Sequence, residues 1–130
     1  MPEQIVVVAA VIERDGRFLV ARRLKGTHLA GYWEFPGGKV HDGESHEDAL
    51  HRELLEELDA GITKARKIFH AIHAYPERVI ELHFFRGDLT ADPRPMLGQE
   101  LRWITRADFR DLQFPPADAE LVEGLLNASL

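Results

Sequence analysis

Residues Gly38 to Glu57 read GKVHDGESHEDALHRELLEE, and this stretch decides the reading of the chain. Ser45 is suited to cap a helix, because its hydroxyl can accept a bond from an orphan N–H of the first turn. Asp48, three residues on, stands where a capping box usually carries Glu or Gln. The predicted helix runs from Ser45 to about Leu58. On it Glu53, Glu56 and Glu57 occupy positions i, i+3 and i+4 and share one face. Leu50, Leu54 and Leu58 form a separate i, i+4, i+8 stripe that can be buried. Three carboxylates on one face repel one another, with Arg52 offsetting them through an i, i+4 pairing with Glu56. A solvated acidic helix is the ordinary explanation of such a face. A divalent cation is the other, since it would turn the repulsion into binding. Oxygen ligands without cysteine suit a hard ion, Mg²⁺ or Mn²⁺, and glycine carbonyls of the preceding turn could add a ligand.

Working outward, Ile5 to Ile12 is a β-branched apolar run closed by Asp15-Gly16, and Arg17 to Arg22 resumes it. Two such runs around Asp-Gly predict a β-hairpin. Arg22 to Tyr32 has two glycines and no period, which predicts a loop, and Trp33 to Gly38 sets two aromatics beside a glycine turn as a candidate pocket wall. Downstream, Arg66–His73 and Val79–Leu89 are predicted strands joined across Tyr75-Pro76-Glu77-Arg78. Thr90–Gly98 is a predicted surface loop, Leu101–Ile104 a short strand, and Ala119–Leu126 a closing helix. Strands with interspersed helices, without βαβ alternation, indicate an α+β domain with a mixed sheet.

The chain has 130 residues, enough for one sizeable core, so a single domain over 1–130 is expected. Its net charge of −6 argues against non-specific binding of a nucleic acid polymer or an anionic membrane. An anionic substrate must therefore be held locally, by a few cations or a metal. The absence of cysteine excludes disulfides, thiolate catalysis and zinc–thiolate sites. The start, MPEQIVVVAAVIERDGR, has no basic region followed by a long apolar run, and no stretch approaches membrane-spanning length; a cytoplasmic location is the expectation. His41, His46 and His51 recur every five residues and point in different directions, so no histidine metal site is expected from them. Nothing in the sequence speaks to the oligomeric state.

The spacing around the glutamates resembles the Nudix box, G-x5-E-x7-R-E-U-x-E-E-x-G-U with U a bulky aliphatic. Gly38, Glu44, Arg52, Glu53, Leu54, Glu56 and Glu57 fall in register, seven of nine defined positions. Asp59 stands where the last glycine belongs and Ala60 where the last aliphatic does. An altered helix end is expected there, with Gly61-Ile62 supplying a delayed cap. The resemblance implies the Nudix fold, a mixed β-sheet between helices with the box as loop-helix-loop. It implies Mg²⁺- or Mn²⁺-dependent hydrolysis of a nucleoside diphosphate linked to another group. Glu53, Glu56 and Glu57 would be metal-site carboxylates, joined by a carbonyl of Gly37 or Gly38. Glu44 would support the site and Arg52 would orient the glutamates. Phosphoanhydride hydrolysis needs charge neutralised on phosphate oxygens and an activated water, which fits clustered divalent ions.

Beyond the box, Arg22-Arg23, His28, Glu34 to Lys39, Tyr75 to Arg78 and Phe114 to Ala117 are similar to segments of the MutT-like nucleoside triphosphate pyrophosphohydrolases. That resemblance implies attack of water on the β-phosphorus, giving a monophosphate and pyrophosphate from a damaged or non-standard nucleotide. It implies a substrate site of Arg23, His28, Glu34, Phe35, Lys39, Arg78 and Asp118, with Arg23 on phosphate or sugar and Phe35 and Arg78 beside the base. Five of them have a plain alternative: a strand-end charge for Arg23, a loop residue for His28, core packing for Phe35, a hairpin-tip charge for Arg78, a helix cap for Asp118.

Asp118 follows FPPA where the oxidised-guanine sanitisers of this group typically carry Asn. An ionised Asp only accepts, so it would favour a base edge rich in N–H donors, as in 8-oxo-dGTP, CTP or a 5-substituted dCTP. Leu97 stands where the group commonly has a glutamate. Glu100, or a box glutamate, is the candidate base. ADP-ribose or another nucleoside diphosphate derivative is the alternative substrate, and a non-catalytic nucleotide-sensing module is the alternative of another class.

Overall fold

The computed structural model describes residues 3–130. Eight strands run in the order β1 (Glu3–Val11), β2 (Glu13–Arg14), β3 (Arg17–Arg22), β4 (Trp33–Glu34), β5 (Gly37–Lys39), β6 (Ile62–Ala74), β7 (Arg78–Leu89) and β8 (Leu101–Ile104). Helix α1 (His46–Leu58) separates β5 from β6, and α2 (Ala119–Leu126) closes the chain. Short 3₁₀ turns at Ala107–Arg110 and Pro116–Asp118, which the sequence reading did not single out, lead into α2.

The architecture is α+β, with two sheets. A mixed sheet in the order β5-β1-β7-β6 pairs β1 with β7 in parallel, while β5 and β6 are antiparallel edges. A second, antiparallel sheet is built on β3, flanked by β2 and β4 along one side and β8 along the other. The Ile5–Ile12 run therefore does not pair with Arg17–Arg22 as a long hairpin. It breaks at Ile12, and only Glu13–Arg14 folds back on Arg17 and Phe18. Asp15 and Gly16 both take positive φ, the geometry a two-residue turn of this hand requires.

The reason is that β1 is central and buried on both faces, so it reads as a continuous apolar run rather than an alternation. Val8, Ala10 and Ile12 face α1 and pack with Leu50, Leu54, Leu58 and Phe85. Ala9 and Val11 face the other way and pack with Phe84, Leu121 and Leu125. The leucine stripe of α1 is 0% exposed. Burial of each leucine contributes about 1.5–3 kcal/mol, which fixes the helix's rotation and turns its acidic side toward β5.

Both ends of α1 are secured. Ser45 accepts from the Asp48 N–H at 3.1 Å. At the other end Asp59 itself takes the left-handed conformation, φ 54°, and its N–H reaches the Leu55 carbonyl, so the cap is not delayed to Gly61-Ile62. The 90–98 loop then crosses the helix end: the Arg94 N–H bonds the Leu58 carbonyl and the Met96 N–H the Glu57 carbonyl. The Arg94 guanidinium lies 3.3 Å from the Asp59 carboxylate. These contacts do what a terminal glycine would otherwise do, which is why Asp is accepted there.

Candidate active site

The site lies where α1 passes β5. The two contact closely because Gly38 lacks a side chain, where a Cβ would strike the Glu53 carboxyl group; Gly37 is pressed as closely onto β1, where a Cβ would strike the Val8 carbonyl. The Gly37 N–H donates to Glu57 Oε2 at 3.0 Å. Arg52 organises the remainder. Its Nε and Nη2 hold the two oxygens of Glu44 at 2.8 and 3.0 Å, a bidentate pair, while Nη1 donates to Glu53 at 2.9 Å and Nη2 also to the Lys39 carbonyl at 2.9 Å. The i, i+4 contact to Glu56 is the longest, 3.5 Å, so Glu44 and Glu53 rather than Glu56 are the main counterions of Arg52. Arg52 and the His41 N–H together hold the Glu44 carboxyl down to about 2.

Glu57 is placed differently. Burial, then the charges of Glu53 and Glu34, push its carboxyl up to about 8 against the opposing bond from Gly37, with Glu56 adding a little. A half-buried carboxylate that its neighbours force to keep a proton is a group short of positive charge. Glu53 and Glu34, with Glu56 adding less, crowd negative charge around Glu57, and a hard divalent cation held by oxygen ligands there would relieve that repulsion.

Beside these carboxylates opens a cavity of about 460 Å³. Its lining includes Gly37, Gly38 and Glu57 and all seven residues expected around a nucleotide: Arg23, His28, Glu34, Phe35, Lys39, Arg78 and Asp118. Arg23 donates to Glu34 at 2.6 Å and to the His28 carbonyl at 2.6 Å, which ties the 23–32 loop to the cavity wall. Burial raises the Glu34 carboxyl, with Arg23 opposing. Arg78 opens β7 at the hairpin end, where the Tyr75 N–H bonds its carbonyl, and its side chain is exposed. Phe35 is only 5% exposed and its ring packs on Phe84, Phe109 and Phe114. It forms the wall by core packing and offers a base little free face. Leu29 and Ile80 also line the cavity. Ile80 is two residues after Arg78, so strand alternation could have found it; Leu29, in an aperiodic loop, gave no signal.

Asp118 is buried and makes no side-chain bond to the first turn of α2, so it is not a simple cap. Burial pushes its carboxyl up to about 7, with the Glu34 charge adding and Arg23 opposing. Around pH 7 it is therefore divided between a protonated form, which both donates and accepts, and the ionised, accept-only form expected from sequence. Glu100 is not brought to the box glutamates. It sits 3.6 Å from Arg22, and both side chains are about half exposed. Leu97 and Gln99 instead approach Glu34 and Glu57 across a neighbouring cleft. Gln99, buried and not anticipated as a site residue, donates to the Glu57 carbonyl at 2.9 Å and accepts from the Leu97 N–H at 2.9 Å, locking the loop to the acidic end of α1.

Known proteins are similar to this chain over nearly its whole length. The chain is 38% identical over 130 residues to the 8-oxo-dGTP diphosphatase of Haemophilus influenzae, covering 98% of this chain and 96% of that one. It is 38% identical over 129 residues to the CTP pyrophosphohydrolase of Escherichia coli, covering 95% and 93%. The solution structure of the E. coli ORF135 protein superposes with a TM-score of 0.86 at 36% identity, covering 98% of this chain and 92% of that one. The NUDIX domain family matches residues 7–124, from the middle of β1 into the last turn of α2. With the box helix packed against its glycine strand and sequence relatives matched over nearly their full length, the chain belongs to the Nudix hydrolase family.

Proposed function

We propose that this Nudix hydrolase cleaves a nucleoside triphosphate to the monophosphate and pyrophosphate with Mg²⁺, or Mn²⁺ in its place, and that its substrates are damaged or non-standard nucleotides of the 8-oxo-dGTP or CTP and 5-substituted dCTP type. The observation that carries this reading is the continuity of one cavity from Asp118 and Arg78 to Glu57 and Gly38. A base at the Asp118 end leaves the phosphate chain running toward the carboxylates. Its size is within the range of small-molecule sites. The names of the relatives, an 8-oxo-dGTP diphosphatase and a CTP pyrophosphohydrolase, support the same substrate class.

Glu53, Glu56 and Glu57 would hold the divalent ion, which supplies neutralisation of the phosphate oxygens and a more acidic bound water. Arg52 keeps Glu53 aimed at the glycine strand, and Glu44 fixes Arg52. Arg23, held by Glu34, places a cation at the cavity wall for phosphate or sugar. Water attacks the β-phosphorus; the bond from that phosphorus to the oxygen bridging it to the α-phosphorus breaks, and that oxygen leaves with the monophosphate. With Glu100 directed to Arg22, the general base is a box glutamate. A carboxyl-bearing Asp118 that donates and accepts can pair with either a guanine or a cytosine edge.

The test is a panel of ordinary NTPs, oxidised and methylated dNTPs and ADP-ribose with Mg²⁺, scored for pyrophosphate, phosphate and AMP. Pyrophosphate release from an oxidised or cytosine triphosphate is expected. AMP from ADP-ribose with no triphosphate turnover overturns the substrate class, and tight nucleotide binding without turnover of any compound overturns catalysis.

A further inference from the structure

A second group of ligand atoms lies away from the box. His70 on β6 pairs in register with His83 on β7, and Glu81 is two residues before His83 on the same face. The two imidazoles stack at 4.7 Å with their planes 9° apart. The Nε2 atoms of both turn to one carboxylate oxygen: His83 Nε2 lies 2.9 Å and His70 Nε2 3.6 Å from Glu81 Oε1. All three ligand atoms fall within 4.8 Å of one another. Nitrogen and oxygen ligands about 2.0–2.1 Å from a tetrahedral zinc ion sit about 3.3 Å apart, so the observed separations bracket what such an ion needs.

Two further observations describe how the ligand atoms are held. His83 is 5% exposed, yet its Nδ1 has no hydrogen-bond partner. The ring nitrogen of His83 that has a partner is therefore Nε2, and that partner is Glu81 Oε1. The carboxylate is also held from behind, because the Gln4 side chain donates to Glu81 Oε2 at 3.2 Å and leaves Oε1 for the imidazoles. Outer partners of this kind are what fix a metal-binding carboxylate. The His46 ring lies 4.2 Å from that of His83, and the half-exposed His70 leaves one side open for a water. The cluster differs from the box in place and in chemistry. It sits on β7 and β6, whereas Gly37 and Gly38 are on β5, at the opposite edge of the sheet with β1 between β5 and β7. Two imidazoles and one carboxylate suit Zn²⁺ and its neighbours, not the hard ions that all-oxygen sites take.

We infer that His70 Nε2, His83 Nε2 and Glu81 Oε1 form a binding site for a zinc-class divalent ion, separate from the hydrolase centre, that clips the β6–β7 hairpin. The probe is Co²⁺ added to the intact protein in excess Mg²⁺, which occupies the oxygen site. One equivalent of Co²⁺ with intense visible bands of low coordination number is expected, bleached by one equivalent of Zn²⁺. His70→Ala and Glu81→Gln should abolish the bands and weaken Zn²⁺ binding beyond about 100-fold, more than loss of an outer partner costs. Mg²⁺-dependent turnover and the circular dichroism of both variants should stay at the level of the unaltered protein. Bands that persist in His70→Ala, that vanish only with Glu57→Gln, or that never appear overturn the site. Because the readout is a spectrum in Mg²⁺, failure of the hydrolase assignment would leave it standing, and the reverse.

Discussion

Asp118→Asn gives a stability change that depends on pH in a calculable way. Burial pushes the Asp118 carboxyl from its ordinary 3.8 up to about 7. The folded protein therefore binds a proton that the unfolded chain has released over that interval, and its stability must fall as pH rises between the two values. The slope is about 1.4 kcal/mol per pH unit, and the whole loss by pH 8 is about 4 kcal/mol. Asn does not titrate. Subtracting the urea-unfolding free energy of the native protein from that of Asp118→Asn at pH 5, 6, 7 and 8 cancels the groups common to both. The difference should shift toward the variant by between about 2 and 3 kcal/mol from pH 5 to pH 8, flattening above pH 7. If Asp118 reads the base as proposed, the same proton governs base choice. At pH 6 the variant should keep the native nucleotide preference, because a protonated Asp and an Asn both donate and accept. At pH 9 native Asp118 only accepts, and the two panels should separate. A stability difference that is constant across pH 5–8 would refute a proton shared between burial and Glu34.

Other perturbations read the acidic end of the cavity. Glu57→Gln removes the carboxylate under greatest repulsion and should cost more than the 10–100-fold or so typical of outer-shell partners, measured as kcat at saturating Mg²⁺. Arg52→Ala frees Glu44 and Glu53 and should lower activity about 10–100-fold with a raised Mg²⁺ requirement; full activity at low Mg²⁺ would show that Arg52 orients nothing. Gly38→Ala drives a methyl into the Glu53 carboxyl group, so turnover should fall sharply for a loss of about 1–3 kcal/mol in unfolding free energy. Glu100→Gln should leave kcat within about twofold, as expected for an exposed residue away from the chemistry; a large loss would restore Glu100 as the base.

What was legible in the chain followed from periodicity, and what was not followed from register. The i, i+3, i+4 spacing placed Glu53, Glu56 and Glu57 on one face and the leucine stripe in the core, because a helix is a local object whose geometry the next four residues decide. The ends of α2 and β8 were read correctly for the same reason. Sheet partners are not local. Nothing within Ile5–Ile12 tells whether it pairs with the next strand or with Arg78–Leu89, and both choices bury the same side chains in sequence terms. Parallel pairing to β7 is settled by helices on both faces, a property of the whole domain.

The same distinction explains the errors at single residues. Asp59 looked like a fault because a left-handed cap usually wants glycine, yet Arg94 and the 90–98 loop, over thirty residues on, supply the missing carbonyl partners. Glu100 looked like a base because it follows Leu97 closely, but strand β8 begins at the next residue. Its backbone carbonyl bonds Arg22, and the side chain follows to that edge. Ordinary acidity alone would leave Asp118 fully ionised at neutrality, and its environment brings it to about half protonated at pH 7. The enclosing wall and Glu34 are distant in sequence, and together they outweigh Arg23. Chemistry that depends on a pattern was visible; chemistry that depends on a neighbour's field was not. On the proposed role of Asp118, substrate choice belongs to the second kind, and a change of base preference must follow the protonation of Asp118 rather than its identity.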